Sequence, residues 1–391
     1  MDFETLKQKD NEYIVNTYKR NDILITSGKN SKCKDINSKE YIDFTSGVGV
    51  NSLGFCNSNW SKAVSDQVNK LNHTSNLFYT EPQIQLAEKL CKLTDMKKAF
   101  FTNSGAEANE TMIKAARKYG MDKLGKDRYE IITLESSFHG RTFGALAATA
   151  QPIFQKPFGK SLDGFAYAEP DNLESLKRVV SDKTCAVMME LIQGESGVND
   201  LDIDYVQGVE KFCKENDLLL LIDEVQTGVG RTGSFLVCEQ YGIKPNIVSL
   251  AKGLGGGLPI GATLFDEKTE NVLIYGNHGT TFGGNPITCA GALAVLDCMN
   301  DSLFDDVKNK GEYLKNKISA LPHVKSISGM GMMIGVELDG IAASEVIKNA
   351  MDIGLMLLSA KDKVRLLPPL NITYSDIDDG LAILEKTLLA F

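Results

Sequence analysis

One lysine lies where an apolar strand gives way to glycines. The predicted strand 247–250 leads through Ala251 into Lys252, and glycines follow at positions 253, 255, 256 and 257. An ammonium group becomes nucleophilic only where its surroundings lower its pKa, and glycines let the backbone approach a flat ligand closely. Lys252 can therefore form a Schiff base with an aldehyde, although a lysine before a turn is more often an ordinary surface residue.

A carboxylate occupies the matching place on a second predicted strand. The run Leu-Leu-Leu-Leu-Ile at 218–222 is typical of a strand buried on both faces of a parallel sheet, and Asp223 follows it directly. Open α/β sheets bind ligands at this end of their strands, so Asp223 could keep a ring nitrogen protonated, as pyridoxal enzymes require. An aspartate that caps the next turn is the common alternative. Two such residues at two strand ends favour the first interpretation.

The two segments together, Asp223-Glu-Val-Gln226-Thr-Gly and Lys252 before a glycine-rich turn, resemble the class III (ω-amino) pyridoxal-phosphate (PLP) aminotransferases of fold type I. The resemblance runs from about residue 41 to about residue 369 and is greatest for the acetylornithine aminotransferases. It implies that Lys252 holds PLP and acts as general base and acid, and that Asp223 binds the ring nitrogen. It also implies that Gln226 hydrogen-bonds the phenolic oxygen of the cofactor.

A candidate phosphate site follows the predicted strand 99–103. Ser104 and Glu107 have the spacing of a capping box, and a helix N-terminus attracts phosphate, although a plain helix cap has the same pattern. The resemblance implies that Ser104, Gly105 and Ala106 bind the cofactor phosphate. It further implies that Thr281 reaches the phosphate bound to a neighbouring subunit, and hence that the protein is a homodimer with shared active sites.

Further side chains are candidates for cofactor and substrate binding. Phe138 can stack on the pyridine ring, and Arg141 offers a planar fork for a carboxylate; a core phenylalanine and a surface ion pair are the alternatives. The resemblance assigns substrate carboxylates to Arg141 and a supporting role to His139. It also implies that Glu195 and Arg365 pair while the ω-amine donor is bound, and that Arg365 is released to bind an α-carboxylate. The sequence is also compatible with an ordinary ion pair between Glu195 and Arg365 at the protein surface.

Composition excludes several classes of function. The chain has 391 residues, 43% of them hydrophobic, and a net charge of −9, which argues against nucleic-acid or anionic-membrane binding. The eight cysteines form no Cys-x-x-Cys pair and there are only four histidines, so no metal site is expected. The sequence lacks a signal-peptide core and an apolar stretch of transmembrane length. We therefore expect a cytoplasmic enzyme with reduced thiols that acts on small molecules.

Alternating strand and helix patterns position these residues. The predicted strands are 99–103, 130–134, 185–192, 218–223, 247–250 and 261–265, with helices at 106–119 and 205–216 between them. This order predicts an α/β domain with a mostly parallel sheet. From residue 286 the pattern changes to helices 286–299 and 303–321 and short strands within 326–338, which predicts a smaller α+β domain. The predicted domains are an N-terminal segment of the small domain (1–58), a large PLP-binding domain (59–285) and a C-terminal small domain (286–391).

The resemblance implies a particular reaction. The δ-amino group of N2-acetylornithine would pass to 2-oxoglutarate, giving N-acetylglutamate 5-semialdehyde and glutamate, a step of arginine biosynthesis. Ornithine aminotransferases carry a tyrosine near position 47, but this chain has Thr-Ser-Gly-Val-Gly-Val-Asn at 45–51, which leaves room for an acylated nitrogen. The segment 54–58, Gly-Phe-Cys-Asn-Ser, also lacks two histidines that are usual in the family. The alternatives are a succinylornithine, ornithine or 4-aminobutyrate aminotransferase, an aminomutase, and a non-catalytic protein of the same fold.

Overall fold

Asp223 ends one strand of a central sheet, and Lys252 and Ser104 lie shortly after two others. The computed structural model describes residues 2–125 and 127–391. Within these ranges the strands are β1 (Ile25–Lys29), β2 (Lys32–Asp35), β3 (Glu40–Asp43), β4 (Lys98–Thr102), β5 (Glu130–Leu134), β6 (Phe165–Ala168), β7 (Thr184–Met189), β8 (Ile192–Gln193), β9 (Asn199–Asp200), β10 (Leu219–Asp223), β11 (Ile247–Leu250), β12 (Gly261–Phe265), β13 (Val324–Met330), β14 (Met333–Leu338), β15 (Leu355–Met356), β16 (Leu358–Ala360) and β17 (Lys363–Leu366). The helices of four or more residues that have α-type hydrogen bonding in the same ranges are α1 (Phe3–Tyr13), α2 (Ser46–Gly49), α3 (Ser58–Lys70), α4 (Glu81–Thr94), α5 (Gly105–Tyr119), α6 (Phe143–Ala148), α7 (Pro152–Gln155), α8 (Leu173–Val179), α9 (Ile203–Glu215), α10 (Pro286–Leu296), α11 (Asp301–Ser319), α12 (Ala343–Asp352) and α13 (Tyr374–Leu388).

The central sheet has the strand order β4-β12-β11-β10-β7-β5-β6. β12 runs antiparallel to both of its neighbours, and the other pairings in the sheet are parallel. The predicted α/β fold with a mostly parallel sheet is therefore confirmed. In the register of β10 and β11, Asp223 lies beside Ser249, three residues before Lys252. The two candidate catalytic residues consequently project from the same edge of the sheet.

Burial of apolar side chains explains why this edge is firmly placed. All five residues of β10 are buried, as the continuous apolar run predicts for a strand covered on both faces. Removing its four aliphatic side chains from water contributes roughly 6–12 kcal/mol, at about 1.5–3 kcal/mol each. On one face α5 packs against β4, β10, β11 and β12 through its buried residues, among them Ala108 and Met112. The helix that begins at the candidate phosphate site is thus fixed to the sheet.

The predicted element bounds agree with the structure to within a few residues, with one break. The strands 130–134, 247–250 and 261–265 have the predicted bounds. The single strand predicted at 185–192 is divided into β7 and β8, because the chain turns at Glu190 and Leu191. There the Leu191 carbonyl accepts from the backbone N–H of Leu201 (3.0 Å) rather than from a neighbouring sheet strand. α9 begins at Ile203, two residues early, because Asp202 caps it by accepting from two backbone N–H groups.

The N-terminal strands form a sheet with the C-terminal part of the chain. Its order is β1-β2-β3-β15, and Ile42 pairs with Leu355 in parallel register. A third sheet, β13-β14-β17-β16, carries Arg365 on β17. The pairing of β3 with β15 supports the prediction that the N-terminal segment joins the small domain. The domain bounds 1–58, 59–285 and 286–391 stay a prediction, since α10 also packs against α3 and α4.

Across residues 2–125 and 127–391, no single helix has both the length and the apolar character needed to span a membrane. α10 and α11 together would meet these criteria by length and composition, with a bend of 73° between them.

Candidate active site

A cavity of about 460 Å³ lies at the carboxyl ends of β10 and β11. It contains eight of the residues predicted from the sequence to bind cofactor or substrate, namely Ser104, Gly105, Ala106, Phe138, Arg141, Asp223, Gln226 and Lys252. The remaining lining residues are Val50, Asn103, Asn109, His139, Gly140, Glu190, Val225, Ala251, Gly257, Leu258, Pro259 and Ile260. The fold therefore brings residues from Val50 to Ile260, up to 210 positions apart in the sequence, into one concave site, which is where α/β sheets bind ligands.

Asp223 is buried and held by four groups. Its Oδ2 accepts from Asn109 Nδ2 (2.7 Å) and lies 2.8 Å from His139 Nδ1, while its Oδ1 accepts from the backbone N–H of Val225 (2.9 Å). Ser249 Oγ lies 3.5 Å from Oδ1. A carboxylate can only accept, so the His139 proton lies on Nδ1. These contacts fix the carboxylate in the cavity wall.

Asn109, Ser249 and His139 form a supporting layer behind Asp223. Ser249 Oγ donates to Asn109 Oδ1 (2.6 Å), which orients the asparagine amide so that Nδ2 faces Asp223 and the His139 carbonyl. The backbone N–H of His139 donates to Thr149 Oγ1 (2.8 Å), and its Nε2 is buried with no hydrogen-bond partner among the described residues. The supporting role predicted for His139 agrees with this position. Asn109 and Ser249 were not predicted, because they are ordinary polar residues within α5 and β11.

Lys252 reaches the cavity from a strained backbone position. Its φ is +34°, in the left-handed region that side chains other than glycine rarely adopt. Such strain persists only where the surrounding structure imposes it, and it occurs most often at functional sites. Burial lowers the pKa of Lys252, and the negative charges of Glu195, Asp223 and Glu190 oppose this effect without cancelling it. A lysine with a lowered pKa provides the neutral amine that nucleophilic chemistry requires.

The N-terminus of α5 has the features of an anion site. Ser104 caps the helix by accepting from the backbone N–H of Glu107 (3.2 Å). The predicted capping box is only half formed, because Glu107 Oε2 accepts from the backbone N–H of Asn103 (2.6 Å) instead of that of Ser104. At Gly105 a Cβ atom would lie 2.6 Å from Val225 Cγ1, so only glycine fits between helix and strand. Backbone N–H groups of the first turn are thus left facing the cavity.

Glu190 lies in the cavity beside Phe138 and near the charged side chains of His139 and Asp223. Its Oε2 accepts from the backbone N–H of Phe138 (2.9 Å), which fixes the segment that carries the predicted ring-stacking side chain. Burial raises the pKa of Glu190 to about 7; His139 opposes the rise and Asp223 adds to it. Sequence reasoning missed Glu190, since it lay inside a predicted strand and only the break between β7 and β8 exposes it to the cavity.

Glu195 and Arg365 form the ion pair that the sequence analysis predicted. Arg365 is 3% exposed, and its NH1 lies 2.7 Å from Glu195 Oε1. A second contact joins NH2 to Oε2 at 3.4 Å. The backbone carbonyl of Gly194 also accepts from NH1 (3.1 Å). Burial alone would raise the pKa of Glu195, but the charge and hydrogen bonds of Arg365, the charge of Lys252 and the hydrogen bond from Gln226 together outweigh it and hold this pKa below its ordinary value.

Gln226 joins this pair to the cavity. Its Oε1 accepts from Arg365 NH1 (3.1 Å), and its Nε2 donates to Glu195 Oε1 (3.3 Å). The sequence analysis predicted that Gln226 hydrogen-bonds the cofactor, and its contact with both members of the ion pair was not foreseen. The sequence gives little indication of this contact, because Gln226 and Arg365 are 139 residues apart.

Thr281 does not line the cavity of its own chain. It lies on an exposed loop, next to Thr280, whose Oγ1 accepts from Asn103 Nδ2 (3.3 Å). Asn76 Nδ2 donates to the carbonyls of Thr280 (3.2 Å) and Gly283 (2.9 Å), which shapes the loop. The role predicted for Thr281 at a neighbouring subunit stays a prediction.

The fold and the site define a class of protein, namely the fold type I transferases that use a reactive lysine and an acidic partner at the end of a mostly parallel sheet. Comparison with known proteins identifies one family within this class. The Aminotransferase class-III family matches residues 13–388. The chain is 47% identical over 390 residues to the acetylornithine aminotransferase of Haemophilus ducreyi, covering 99% of each protein.

Two solved structures agree with this result. The ornithine aminotransferase of Toxoplasma gondii, in a structure with PLP at partial occupancy in its active site, is 30% identical and superposes with a TM-score of 0.93, over 99% of this chain and 94% of that one. The acetylornithine aminotransferase of Elizabethkingia anophelis is 28% identical with a TM-score of 0.88 over the full length of both chains. This chain belongs to the class III aminotransferase family.

Proposed function

We propose that this enzyme transfers the δ-amino group of N2-acetylornithine to 2-oxoglutarate, giving N-acetylglutamate 5-semialdehyde and glutamate, as a step of arginine biosynthesis. The observation that carries the substrate assignment is the 47% identity to an acetylornithine aminotransferase over 99% of both chains. The cavity is consistent with it, since none of its lining residues in the described chain is a tyrosine that could occupy the space of an acyl group.

The residues of the cavity fit PLP as cofactor. Lys252 would hold the cofactor through its amine, Asp223 would bind the ring nitrogen, and Phe138 would cover one ring face. Ser104, Gly105 and Ala106 would bind the phosphate at the start of α5, where the close approach of Gly105 to Val225 keeps the helix end open. When bound, PLP supplies an electrophilic aldehyde and a protonated ring that accepts electrons from the substrate.

The protein's own groups then move the proton and hold the charges. Lys252, once released, would take the proton from the δ-carbon of acetylornithine and return a proton on the cofactor side, a role that the lowering of its pKa by burial favours. Asp223 is held by the donors of His139 and Asn109, so its carboxylate would be fixed in place to face the ring nitrogen. Gln226 would turn its amide toward the phenolic oxygen of the cofactor.

Two arginines would bind the substrate carboxylates. Arg141 would take the α-carboxylate of acetylornithine in one half-reaction and the side-chain carboxylate of glutamate in the other. Arg365 would bind the α-carboxylate of glutamate after leaving Glu195, and would return to Glu195 when acetylornithine occupies the site. This exchange of partners lets one pocket accept a δ-amine and then an α-amino acid without leaving a buried cation unpaired.

The substrate assignment is tested by initial rates with 2-oxoglutarate and four amino donors. We expect kcat/KM for acetylornithine to exceed that for ornithine and for 4-aminobutyrate by at least about tenfold, which corresponds to about 1.4 kcal/mol of transition-state binding. The value of kcat/KM for succinylornithine tests whether the enzyme distinguishes the acetyl group from a larger acyl group. Equal or better use of ornithine would overturn the proposal, and product formation without any keto acid would indicate an aminomutase instead.

A homodimer with shared active sites is also proposed. Thr281 is exposed and lies outside its own cavity, so its hydroxyl is available to the phosphate in a second copy. Replacing Thr281 by alanine should weaken PLP retention, and Thr17→Ala, at an exposed threonine that does not line the cavity, provides a control. The assay is cofactor release followed by absorbance after gel filtration, with mass measured by light scattering. A monomeric wild-type protein that retains PLP would contradict the proposal.

A further inference from the structure

Arg141 is held by aromatic rings rather than by a carboxylate. Its guanidinium carbon lies 4.0 Å from the ring centroid of Phe154 and 5.5 Å from that of Phe138. The two rings are arranged edge to face, with centroids 6.1 Å apart and planes at 83°. Within residues 2–125 and 127–391 the arginine ion pairs are Arg20–Asp10 and Arg365–Glu195, and Arg141 forms none. An aromatic contact of this kind stabilises a cation without neutralising it.

A second arginine, Arg117, also lies near aromatic rings, but it uses its N–H donors in hydrogen bonds. Arg117 also lies near two rings, 5.8 Å from Tyr129 and 5.0 Å from Phe165. Its NH2, however, donates to the backbone carbonyl of Asp163 at 2.6 Å. Guanidinium N–H groups donate in the plane of the group, whereas a ring contacts its face. Arg141 therefore has its face covered by Phe154 while its in-plane donors remain available for an incoming carboxylate.

Phe154 is itself fixed by the short helix α7. The adjacent Gln155 anchors that helix, because its Nε2 donates to the carbonyls of Thr149 (2.8 Å) and Leu146 (3.1 Å) at the end of α6. Phe154 is half-buried, although its neighbours Ile153 and Phe158 are 75% and 63% exposed. The Phe154 ring thus contacts Arg141 from an otherwise exposed segment.

We propose that Phe154 is a positioning residue that holds Arg141 in the orientation that binds substrate carboxylates. This proposal rests on the proposed function, in which Arg141 binds a carboxylate in each half-reaction. The two arginines of the site then differ in kind. Arg365 is neutralised by Glu195, which it must leave before it can bind the α-carboxylate of glutamate, whereas Arg141 is supported by a ring that need not leave. Arg141 is consequently ready for either substrate at all times.

The test compares Phe154→Leu, which removes the π face and keeps an apolar side chain, with Phe154→Tyr, which keeps the ring. For Phe154→Leu we expect KM to rise roughly threefold to tenfold for both acetylornithine and 2-oxoglutarate, with kcat changed by less than about twofold. Phe154→Tyr should have the wild-type KM. Phe158→Leu, on the same segment but 63% exposed, is the matched control and should change neither constant.

A double-mutant cycle with Arg141→Ala separates the outcomes. If Phe154 acts through Arg141, Phe154→Leu should add no further rise in KM to Arg141→Ala. A wild-type KM in Phe154→Leu, an additive rise in the double variant, or the same KM rise in Phe154→Tyr would each overturn the inference. An Arg141→Ala variant with unchanged KM would instead contradict the carboxylate-binding role of Arg141 in the proposed function.

Discussion

Replacing Glu195 by glutamine should affect the two half-reactions unequally. Glu195 supplies the negative charge beside the nearly buried guanidinium of Arg365, with contacts of 2.7 and 3.4 Å. The substitution removes this charge and keeps the size of the side chain. Arg365 retains the neutral acceptors Gly194 O and Gln226 Oε1, both at 3.1 Å, so it is not stripped of hydrogen bonds. The change is therefore mainly electrostatic.

The structure sets the expected size of the effect. Breaking a fully buried ion pair costs about 3–5 kcal/mol, but the Glu195 side chain is 29% exposed, so solvent screening reduces this figure. We expect about 1.5–3 kcal/mol, or roughly a tenfold to hundredfold loss in rate, for the acetylornithine half-reaction, during which Arg365 has no substrate carboxylate. Glutamate brings its own α-carboxylate to Arg365, so its half-reaction should change little or become faster.

Stopped-flow absorbance of the PLP-loaded enzyme measures each half-reaction in a single turnover. Glu337→Gln is a suitable control, because Glu337 is also partly exposed (35%) and pairs with Lys325 at 2.6 Å on the third sheet. The control should leave both rates unchanged. Equal losses for the two donors in Glu195→Gln, or a larger loss for glutamate, would refute the reversible pairing and leave Glu195 with a structural role.

Three further predictions concern the edge of the central sheet. Lys252→Ala should abolish turnover while circular dichroism remains that of the wild type, and near-normal transamination would contradict its role. Asp223→Asn should retain PLP but lose at least about a hundredfold in kcat, since its new amide would face the donors of His139 and Asn109; unchanged kcat would assign Asp223 another role. Burial raises the pKa of Glu224 to about 7, so the folded state holds its proton more tightly than the unfolded chain does. Its contribution to stability should be full below pH 4.5 and decline by on the order of 3 kcal/mol as the pH rises to 7, a decline that Glu224→Gln should remove in urea unfolding; parallel pH profiles of wild type and variant would contradict this.

Much of the fold could be predicted because its strands are short apolar runs with clear ends. Apolar residues predominate in β5, β11 and β12, and these strands have the predicted bounds. The break at Glu190 could not be predicted, since its cause is the pairing of Leu191 with Leu201 and the contact of Glu190 with Phe138. Such contacts depend on the assembled fold, which local periodicity does not record.

The candidate site divides in the same way. Lys252, Asp223 and the start of α5 could be found because each follows directly on a predicted strand. The layer behind them could not, since Asn109 and Ser249 are ordinary polar residues within a helix and a strand. The resemblance paired Glu195 with Arg365, and the structure has them in contact. The assignments of these residues to PLP and substrate stay proposals.

Gln226 contacts both members of the Glu195–Arg365 ion pair, and this arrangement can couple the ion pair to the cofactor. Its amide oxygen accepts from Arg365 while its amide nitrogen donates to Glu195, so both ends of the amide are engaged when the pair is closed. When Arg365 leaves Glu195 for a substrate carboxylate, the Gln226 oxygen loses its donor and the amide is freed to turn. If Gln226 also hydrogen-bonds the phenolic oxygen of the cofactor, opening of the ion pair and contact with the cofactor are coupled through one side chain. The contact of Gln226 with the cofactor would then depend on whether the bound substrate places a carboxylate on Arg365.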